Sequence, residues 1–306
     1  YAADEFRVSD HDPVLVGLEP NAAPTVTAGG PYAVDEGGSL QLAADGSDPN
    51  AGEELAYAWD LDGDGTFETT GRTTTFDASG LDGPDTRTVT VKVTDGGSLS
   101  ATATATVTVR NVAPSVQANF TRALFGCGPN NAGLTVSFTD PAAADTHKVV
   151  VSWGDGTSST IDPATSALNL SHRYTRAGAY DASVVVTDDD GGAATATATA
   201  KVAYKTQGLR APLKSGSTVT VKAGSTLPVK IGYTQCNGTP ASTIDPVATV
   251  KLGGTVVATG SLSYRAGIWQ WNLATGSLPN KTGTYVVSVT VPETGQVNTA
   301  TFTLRR

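Results

Sequence analysis

Several residue types that define common protein classes are scarce or missing in this chain of 306 residues. It has no methionine, two cysteines, 7% aromatic residues and 16% charged residues. Two cysteines cannot build a disulfide-dense scaffold, and no apolar run is long enough to span a bilayer. Because methionine is absent, we expect Tyr1 to follow a processing site or an upstream segment rather than a translation start.

Positive charge is also in short supply. The chain has 20 Lys and Arg against 29 Asp and Glu, which gives a net charge of −9. Only Arg305 and Arg306 are adjacent, whereas a phosphate-binding surface needs clustered cations. We therefore expect no nucleic acid to be bound by this part of the protein.

Glycine, threonine, valine and alanine are abundant instead. There are 34 glycines, and the long Thr-, Val- and Ala-rich runs alternate in polarity as in Ala101–Arg110. Such runs between turn signals are typical of an all-β protein.

An internal repeat of about 90 residues organises the first two thirds of the chain. Ala23–Val26 recurs as Ala113–Val116, and Trp59 recurs as Trp153. Short strands with regular turns in each unit predict one β-sandwich per repeat.

The second repeat carries the clearer signature. Trp153–Gly156 (Trp-Gly-Asp-Gly), His172–Tyr174, Gly178–Tyr180 and Val184–Asp188 occur in this order. Together they resemble the PKD domain, an immunoglobulin-like sandwich common in bacterial extracellular proteins. The first repeat is a looser match, because it lacks the His-x-Tyr step.

The pattern changes after about Tyr204. The run Val221–Ile231 resembles a small C-terminal β-domain of actinobacterial secreted proteins that carries a Gly-Ser-Thr-x-Pro-x-Lys-Phe motif, with Ile231 in place of the Phe. A third sandwich is expected here. Trp269 and Trp271 face one side of a strand, either in the core or as a platform for sugar stacking; Trp59 and Trp153 are expected in the core.

The first residues of the chain do not belong to the pattern of β-sandwich repeats. Ser9–Val14 reads Ser-Asp-His-Asp-Pro-Val and resembles the closing motif of the endonuclease/exonuclease/phosphatase family. The resemblance implies a secreted nuclease-like parent in which His11, next to Asp10, acts on the scissile phosphate. The metal-binding Glu, the Asn and the further His and Asp of that family would lie upstream, so we expect no enzymatic activity from this chain alone.

The sequence thus predicts an all-β chain of three tandem immunoglobulin-like β-sandwiches after an isolated N-terminal strand. The predicted boundaries are 1–20 for the strand, 21–112 and 113–204 for the PKD-like sandwiches, and 205–306 for the C-terminal sandwich. The apolar face of the strand consists of Phe6, Val8, Val14, Val16 and Leu18. Without its parent sheet this face must be buried elsewhere, for instance by donation to a neighbouring chain in head-to-tail self-assembly.

One acidic run suggests a metal site. Asp60, Asp62 and Asp64 alternate before Gly65, with Glu68 four residues after Asp64. Alternating carboxylates offer several oxygens to one hard cation, so calcium is the expected cofactor; a polar hairpin without a metal is the alternative. Asp45, Asp48 and Asp95 are further candidate ligands, and Asp188–Asp190 is a weaker candidate.

Cys127 and Cys236 fall in different predicted sandwiches. In an oxidising compartment an interdomain disulfide is expected; buried thiols or bonds to other chains are the alternatives. The resulting functional prediction is a secreted, non-catalytic structural or spacer region at the cell surface, with self-assembly through the terminal strand. The alternative is an adhesion module that binds polysaccharide or protein.

Overall fold

A computed structural model describes Gly17, residues 20–129 and residues 132–306. His11, Asp10 and the five apolar residues of the predicted terminal strand lie outside these residues. The chain divides into two compact units. The first comprises the described residues up to Val112 together with Pro141–Ala144, and the second comprises Ala113–Asp140 and Asp145–Arg306.

The first unit contains nine strands. They are β1 (Thr25–Thr27), β2 (Tyr32–Asp35), β3 (Ser39–Ala43), β4 (Asp45–Ser47), β5 (Ala56–Asp60), β6 (Thr69–Thr70), β7 (Thr73–Asp77), β8 (Asp85–Thr94) and β9 (Ser100–Arg110). A five-stranded sheet has the order β2-β9-β8-β5-β6, while β3 pairs with β7 and β1 pairs with β4.

Period-two alternation explains why these residues form a sandwich. On β8, Val89, Val91 and Val93 are fully buried, while the residues between them are not. They pack around Trp59, whose side chain is also fully buried. The indole N–H of Trp59 donates to the Gly71 carbonyl at 3.0 Å, so the single polar atom of this core residue has a partner.

The second unit begins with a sandwich of seven strands. They are β10 (Ser115–Phe120), β11 (Ala132–Thr139), β12 (His147–Ser152), β13 (Ser158–Ile161), β14 (Ala167–His172), β15 (Gly178–Asp188) and β16 (Ala193–Val202). The sheets β10-β11-β14 and β13-β12-β15-β16 enclose Trp153, Tyr174 and the buried valines of β12 and β15.

The second unit continues with another nine strands. They are β17 (Leu209–Arg210), β18 (Thr218–Lys222), β19 (Thr226–Ile231), β20 (Val247–Leu252), β21 (Thr255–Ser261), β22 (Ser263–Arg265), β23 (Ile268–Ala274), β24 (Gly283–Val291) and β25 (Gln296–Arg305), with a 3₁₀ turn at Thr275–Ser277. Their sheets have the orders β17-β19-β23-β22 and β18-β25-β24-β20-β21.

The predicted fold class is confirmed, because the described residues form tandem β-sandwiches. The domain boundaries remain predictions. Over the described part of the chain, we find no helix with the length and apolarity that crossing a bilayer requires.

Candidate functional site

The acidic run of the first sandwich forms a tight loop after β5. One ligand oxygen from each of Asp60, Asp62, Asp64 and Glu68 lies within 4.8 Å of the others. Asp60 is buried, whereas the other three carboxylates are exposed. The strand end therefore fixes one carboxylate in place, and the loop carries the other three around it.

Backbone N–H groups hold these carboxylates in position. Asp60 accepts hydrogen bonds from Gly63 at 2.7 Å and from Gly65 at 3.0 Å. Both glycines have positive φ, 79° and 90°, which a residue with a Cβ rarely adopts. Asp62 accepts from the Asp64 N–H at 3.1 Å. The loop thus curls around Asp60, as the alternating Asp and Gly pattern requires.

The donor set of this loop fits calcium. All four side chains offer hard oxygen ligands, and each carboxylate has two oxygens with several lone pairs. Asp62 Oδ1 and Asp64 Oδ1 each accept one backbone N–H, at 3.1 and 2.7 Å, and Glu68 Oε2 accepts another at 3.2 Å. The second oxygen of each of these three carboxylates has no hydrogen-bond partner among the described residues.

The three additional candidate ligands do not belong to this loop. Asp60 pairs with Thr90 at one end of β5, while Ala56 at the other end pairs with Thr94, next to Asp95. Four residues of strand separate the two ends by about 14 Å, so Asp95 cannot share a cation with Asp60. Asp45 forms an ion pair with Arg72. Asp48 instead accepts the Asn50 N–H at 2.7 Å.

The corresponding loop of the second sandwich is built differently. Asp155 Oδ2 lies 2.8 Å from His172 Nε2, and the His172 ring stacks on Trp153 with 4.5 Å between ring centroids. Burial acts to raise the pKa of Asp155, but hydrogen bonds from Thr157 and His172 together lower it. This loop therefore pairs its carboxylate with a histidine at the end of β14, whereas the loop of the first sandwich gathers four carboxylates.

The aspartate run at the end of β15 is a turn with acidic neighbours. Asp188 is buried and accepts the Gly192 N–H at 2.7 Å, and Asp189 accepts the Thr146 N–H at 2.9 Å. Oxygens of Asp145, Asp189 and Asp190 come within 4.8 Å of one another. Asp188 and Asp189 therefore brace this turn, while the oxygens of Asp145, Asp189 and Asp190 stay a weaker candidate for a cation.

Cys127 and Cys236 form a disulfide with a Cα–Cα distance of 5.2 Å. The bond links the loop before β11 to the loop after β19 across 109 residues. Both cysteines are partly buried against the apolar core of the β10–β16 sandwich. The second and third sandwiches are thus tied covalently.

Two glutamines form hydrogen bonds across the junction between the second and third sandwiches, which the disulfide also crosses. The buried Gln235 side chain accepts the Ala177 N–H at 2.8 Å. The buried Gln296 side chain accepts the Tyr204 N–H at 2.8 Å and donates to the Tyr204 carbonyl at 3.0 Å. These contacts provide partners for backbone groups that lose water where the two sandwiches meet.

Glu293 adds a charged contact to the same junction. Its carboxylate accepts from the Tyr204 hydroxyl at 3.1 Å and from the Ala179 N–H at 3.3 Å. Burial raises the pKa of Tyr204, and the neighbouring Glu293 carboxylate raises it further. Sequence reasoning missed all three junction residues, because nothing local marks a glutamine whose partner is 58 or 92 residues away.

The tryptophan pair of β23 packs into the third sandwich. Trp269 is buried and donates from its indole N–H to the Ala241 carbonyl at 2.9 Å. Trp271 is partly buried against the same core, with its ring over Gly260 of β21. The packing favours the core alternative over an exposed platform for sugar stacking.

Comparison of the sequence with known proteins identifies a matching protein family. A family model described as the PKD domain matches residues 21–109 and again residues 111–203. No curated protein matches the chain significantly. Among solved structures, three N-terminal domains of the outer capsid protein Hoc of bacteriophage RB49 are 15% identical, with a TM-score of 0.31 and coverage of 92% of this chain and 97% of that chain.

Two further structures show similarly distant likeness. Extracellular domains 3–5 of Drosophila OTK are 11% identical, with a TM-score of 0.36 and coverage of 89% and 93% of the two chains. A 1.5-MDa bacterial ice-binding adhesin is 13% identical, with a TM-score of 0.25 and coverage of 95% and 98%. The match to the family model is much stronger evidence than these structural similarities, because its two consecutive copies cover more than half of the sequence. The chain therefore belongs to the PKD domain family.

Proposed function

We propose that this region is a non-catalytic extracellular structural module, which acts as a load-bearing spacer of a secreted protein. The observation that carries the proposal is the tied junction of the second unit. The Cys127–Cys236 bond, the two buried glutamines and Glu293 join the last two sandwiches. Two PKD copies and a disulfide, a bond that persists in oxidising compartments, both support an extracellular location.

A spacer must keep its length when it is pulled, and the disulfide contributes directly to this. The bond removes the intervening residues from the path of force, because tension passes from Cys127 to Cys236 through sulfur. A fully extended chain spans about 3.4 Å per residue. The 109-residue loop would therefore release about 370 Å of length on unfolding if the bond were absent.

Force spectroscopy on the whole chain tests this role. We expect about 370 Å less contour length from the oxidised protein than from the protein in dithiothreitol. The Cys127→Ser/Cys236→Ser variant should behave like the reduced protein without any reductant. Equal contour lengths in the oxidised and reduced states would contradict the proposal.

A bound calcium ion would stiffen the first sandwich of this spacer. The four carboxylates after β5 would hold it, and a ligand that binds only the folded state raises the melting temperature. We expect a higher melting temperature in calcium than in chelator. The shift should disappear in Asp62→Ala/Asp64→Ala and persist in the control Glu54→Ala, which removes an exposed carboxylate outside the loop. A shift that survives the double substitution would contradict the site.

The nuclease-like parent and the donated strand remain further parts of the proposal, supported by sequence alone. The Ser9–Val14 motif supports an upstream phosphodiesterase domain, and the sequence of the gene before Tyr1 tests it. For His11 we expect no metal-dependent DNA hydrolysis by this chain. Measurable turnover that is lost in His11→Ala would contradict the non-catalytic role.

Strand donation predicts a mass that rises with concentration in sedimentation experiments. Val8→Asp on the apolar face should prevent this rise, and Arg7→Gln on the opposite face should not. A monomer at all concentrations would contradict assembly.

A further inference from the structure

The charge of this acidic chain reverses sign along its length. Residues 205–306 contain ten Lys and Arg but only two acidic residues, Asp245 and Glu293, which gives a local net charge of +8. No Asp or Glu occurs between Asp190 and Asp245. The whole chain has a net charge of −9. The positive net charge of residues 205–306 therefore sets this segment apart from the rest of the chain.

Part of this basic segment lines two adjoining clefts of the second unit. The first cleft, of about 300 Å³, is lined by Arg173, Lys205 and the disulfide. The second cleft, of about 280 Å³, is lined by Lys205 and Arg210. Because Lys205 lines both, the two clefts adjoin and are here called together the basic groove.

Two cations of the basic groove, Lys205 and Arg210, lie against neutral groups. Lys205 Nζ donates to the Cys236 carbonyl at 2.6 Å, which fixes the ammonium at the wall that the clefts share. The Arg210 guanidinium lies over Gly232, where an added Cβ would come within 2.9 Å of Nη2. Among the described residues, none of Arg173, Lys205 and Arg210 takes part in an ion pair.

A like-charge pair at the groove adds an independent sign of function. Arg210 on β17 is directly opposite Lys230 on β19 in the antiparallel register. Like charges at opposed positions destabilise a sheet, and such breaks of a local rule concentrate at functional sites. An anion bound between the two side chains would remove the repulsion.

The lining of the groove favours a sugar polymer over a nucleic acid. Neutral hydrogen-bonding side chains lie between the cations, with Thr175 and Asn237 in the first cleft and Thr206 and Gln207 in the second. The one aromatic residue that lines either cleft among the described residues, Tyr174, is 1% exposed, so it offers no ring face on which a base could stack.

We propose that the basic groove binds a carboxylated polysaccharide, with Arg173, Lys205 and Arg210 contacting successive sugar carboxylates. Two adjoining clefts suit a polymer, because each can accept one part of it. Arginine binds a carboxylate through two parallel N–H groups. This binding site goes beyond the structural role of the spacer and does not require it.

Calorimetry with the whole chain and an oligogalacturonate of defined length tests the groove. Each of Arg173→Gln and Arg210→Gln should weaken binding about two- to fivefold, as expected for partly exposed charge pairs, and the double variant about tenfold. Binding should also weaken as salt concentration rises, since exposed charges are screened.

Matched controls keep the proposal falsifiable. Lys222→Gln/Lys251→Gln removes two exposed lysines from the other sheet of the same sandwich, with the same change in net charge. This control should leave affinity unchanged, and equal weakening by both double variants would overturn the groove. Tighter binding of single-stranded DNA, equal binding of neutral dextran, or no binding of oligogalacturonate would also overturn it. Unchanged melting temperatures establish that the variants remain folded.

Discussion

Removal of the Cys127–Cys236 disulfide gives the sharpest test of how the second unit is stabilised. The bond closes a loop of 109 residues. In the chain-entropy treatment a loop of this length restricts the unfolded chain by about 16 cal/mol/K, or about 4.8 kcal/mol at 25 °C. A native disulfide stabilises the folded protein by less than this limit when the unfolded state retains structure. We therefore expect a loss of about 3–5 kcal/mol in the free energy of unfolding.

Urea unfolding followed by tryptophan fluorescence measures this loss. In a Trp59→Phe background the remaining tryptophans, Trp153, Trp269 and Trp271, all report on the second unit. The transition should move to lower urea in dithiothreitol, and Cys127→Ser/Cys236→Ser should move it equally without reductant.

Two results would refute this reasoning. A loss below about 1 kcal/mol would mean that the bond does not restrict the unfolded chain, either because it is absent or because the ends stay together without it. A further effect of dithiothreitol on the double serine variant would mean that the reductant acts elsewhere. The first unit contains no cysteine, so its unfolding should occur at the same urea concentration in every case; it is followed through the additional fluorescence change shown by the protein that retains Trp59.

Three further substitutions test packing and charge in the second unit. Gln296→Leu leaves the buried Tyr204 backbone without partners and should lower the free energy of unfolding in urea by about 2–3 kcal/mol. Gly260→Ala should cost about 1–3 kcal/mol in the same assay, because the added methyl meets the Trp271 indole. Asp155→Asn should lower the melting temperature at pH 6, and this difference should shrink as the pH falls below 3.8. The folded protein lowers the pKa of this carboxyl, so its stabilising effect is present above its ordinary pKa of 3.8 and is lost as pH falls through the lowered value.

Each of these substitutions has a matched control in the same unit. Gln117→Leu changes an exposed glutamine of β10 outside the junction, Gly128→Ala adds a methyl group where no atom lies within 4 Å, and Asp162→Asn neutralises another aspartate. We expect changes within about 0.5 kcal/mol for these surface positions. A control as harmful as its partner variant would contradict the specific contact assigned to that partner.

The parts of the fold that the sequence could predict are those with a short period. Alternation of valine and threonine over β8 and β9 predicts strands with one buried face, and the structure has these strands at Asp85–Thr94 and Ser100–Arg110. The loop after β5 could also be located, because its four carboxylates lie within nine residues. In both cases the interacting groups are close in sequence, so the pattern itself carries the geometry.

Features that depend on register or on distant partners could not be predicted. Asp95 lies on a turn, as the sequence suggests, but only the pairing of β5 with β8 shows that it is at the far end from Asp60. The junction contacts of Gln235 and Gln296 join residues 58 and 92 positions apart. The sequence around these glutamines does not distinguish them from glutamines at the surface. Their buried contacts therefore could not be predicted.

The two PKD copies carry acidic loops of different construction after their core tryptophans, Trp59 and Trp153. In the first copy, Asp60 starts a loop whose carboxylates repel one another at neutral pH, so a divalent cation would stabilise it. In the second copy, Asp155 meets the donor side of His172, which also stacks on Trp153. The second loop therefore has its counter-group built into the chain. Calcium is accordingly expected to stabilise the loop after β5, whereas sensitivity to acid is expected at the Asp155 loop of the second sandwich.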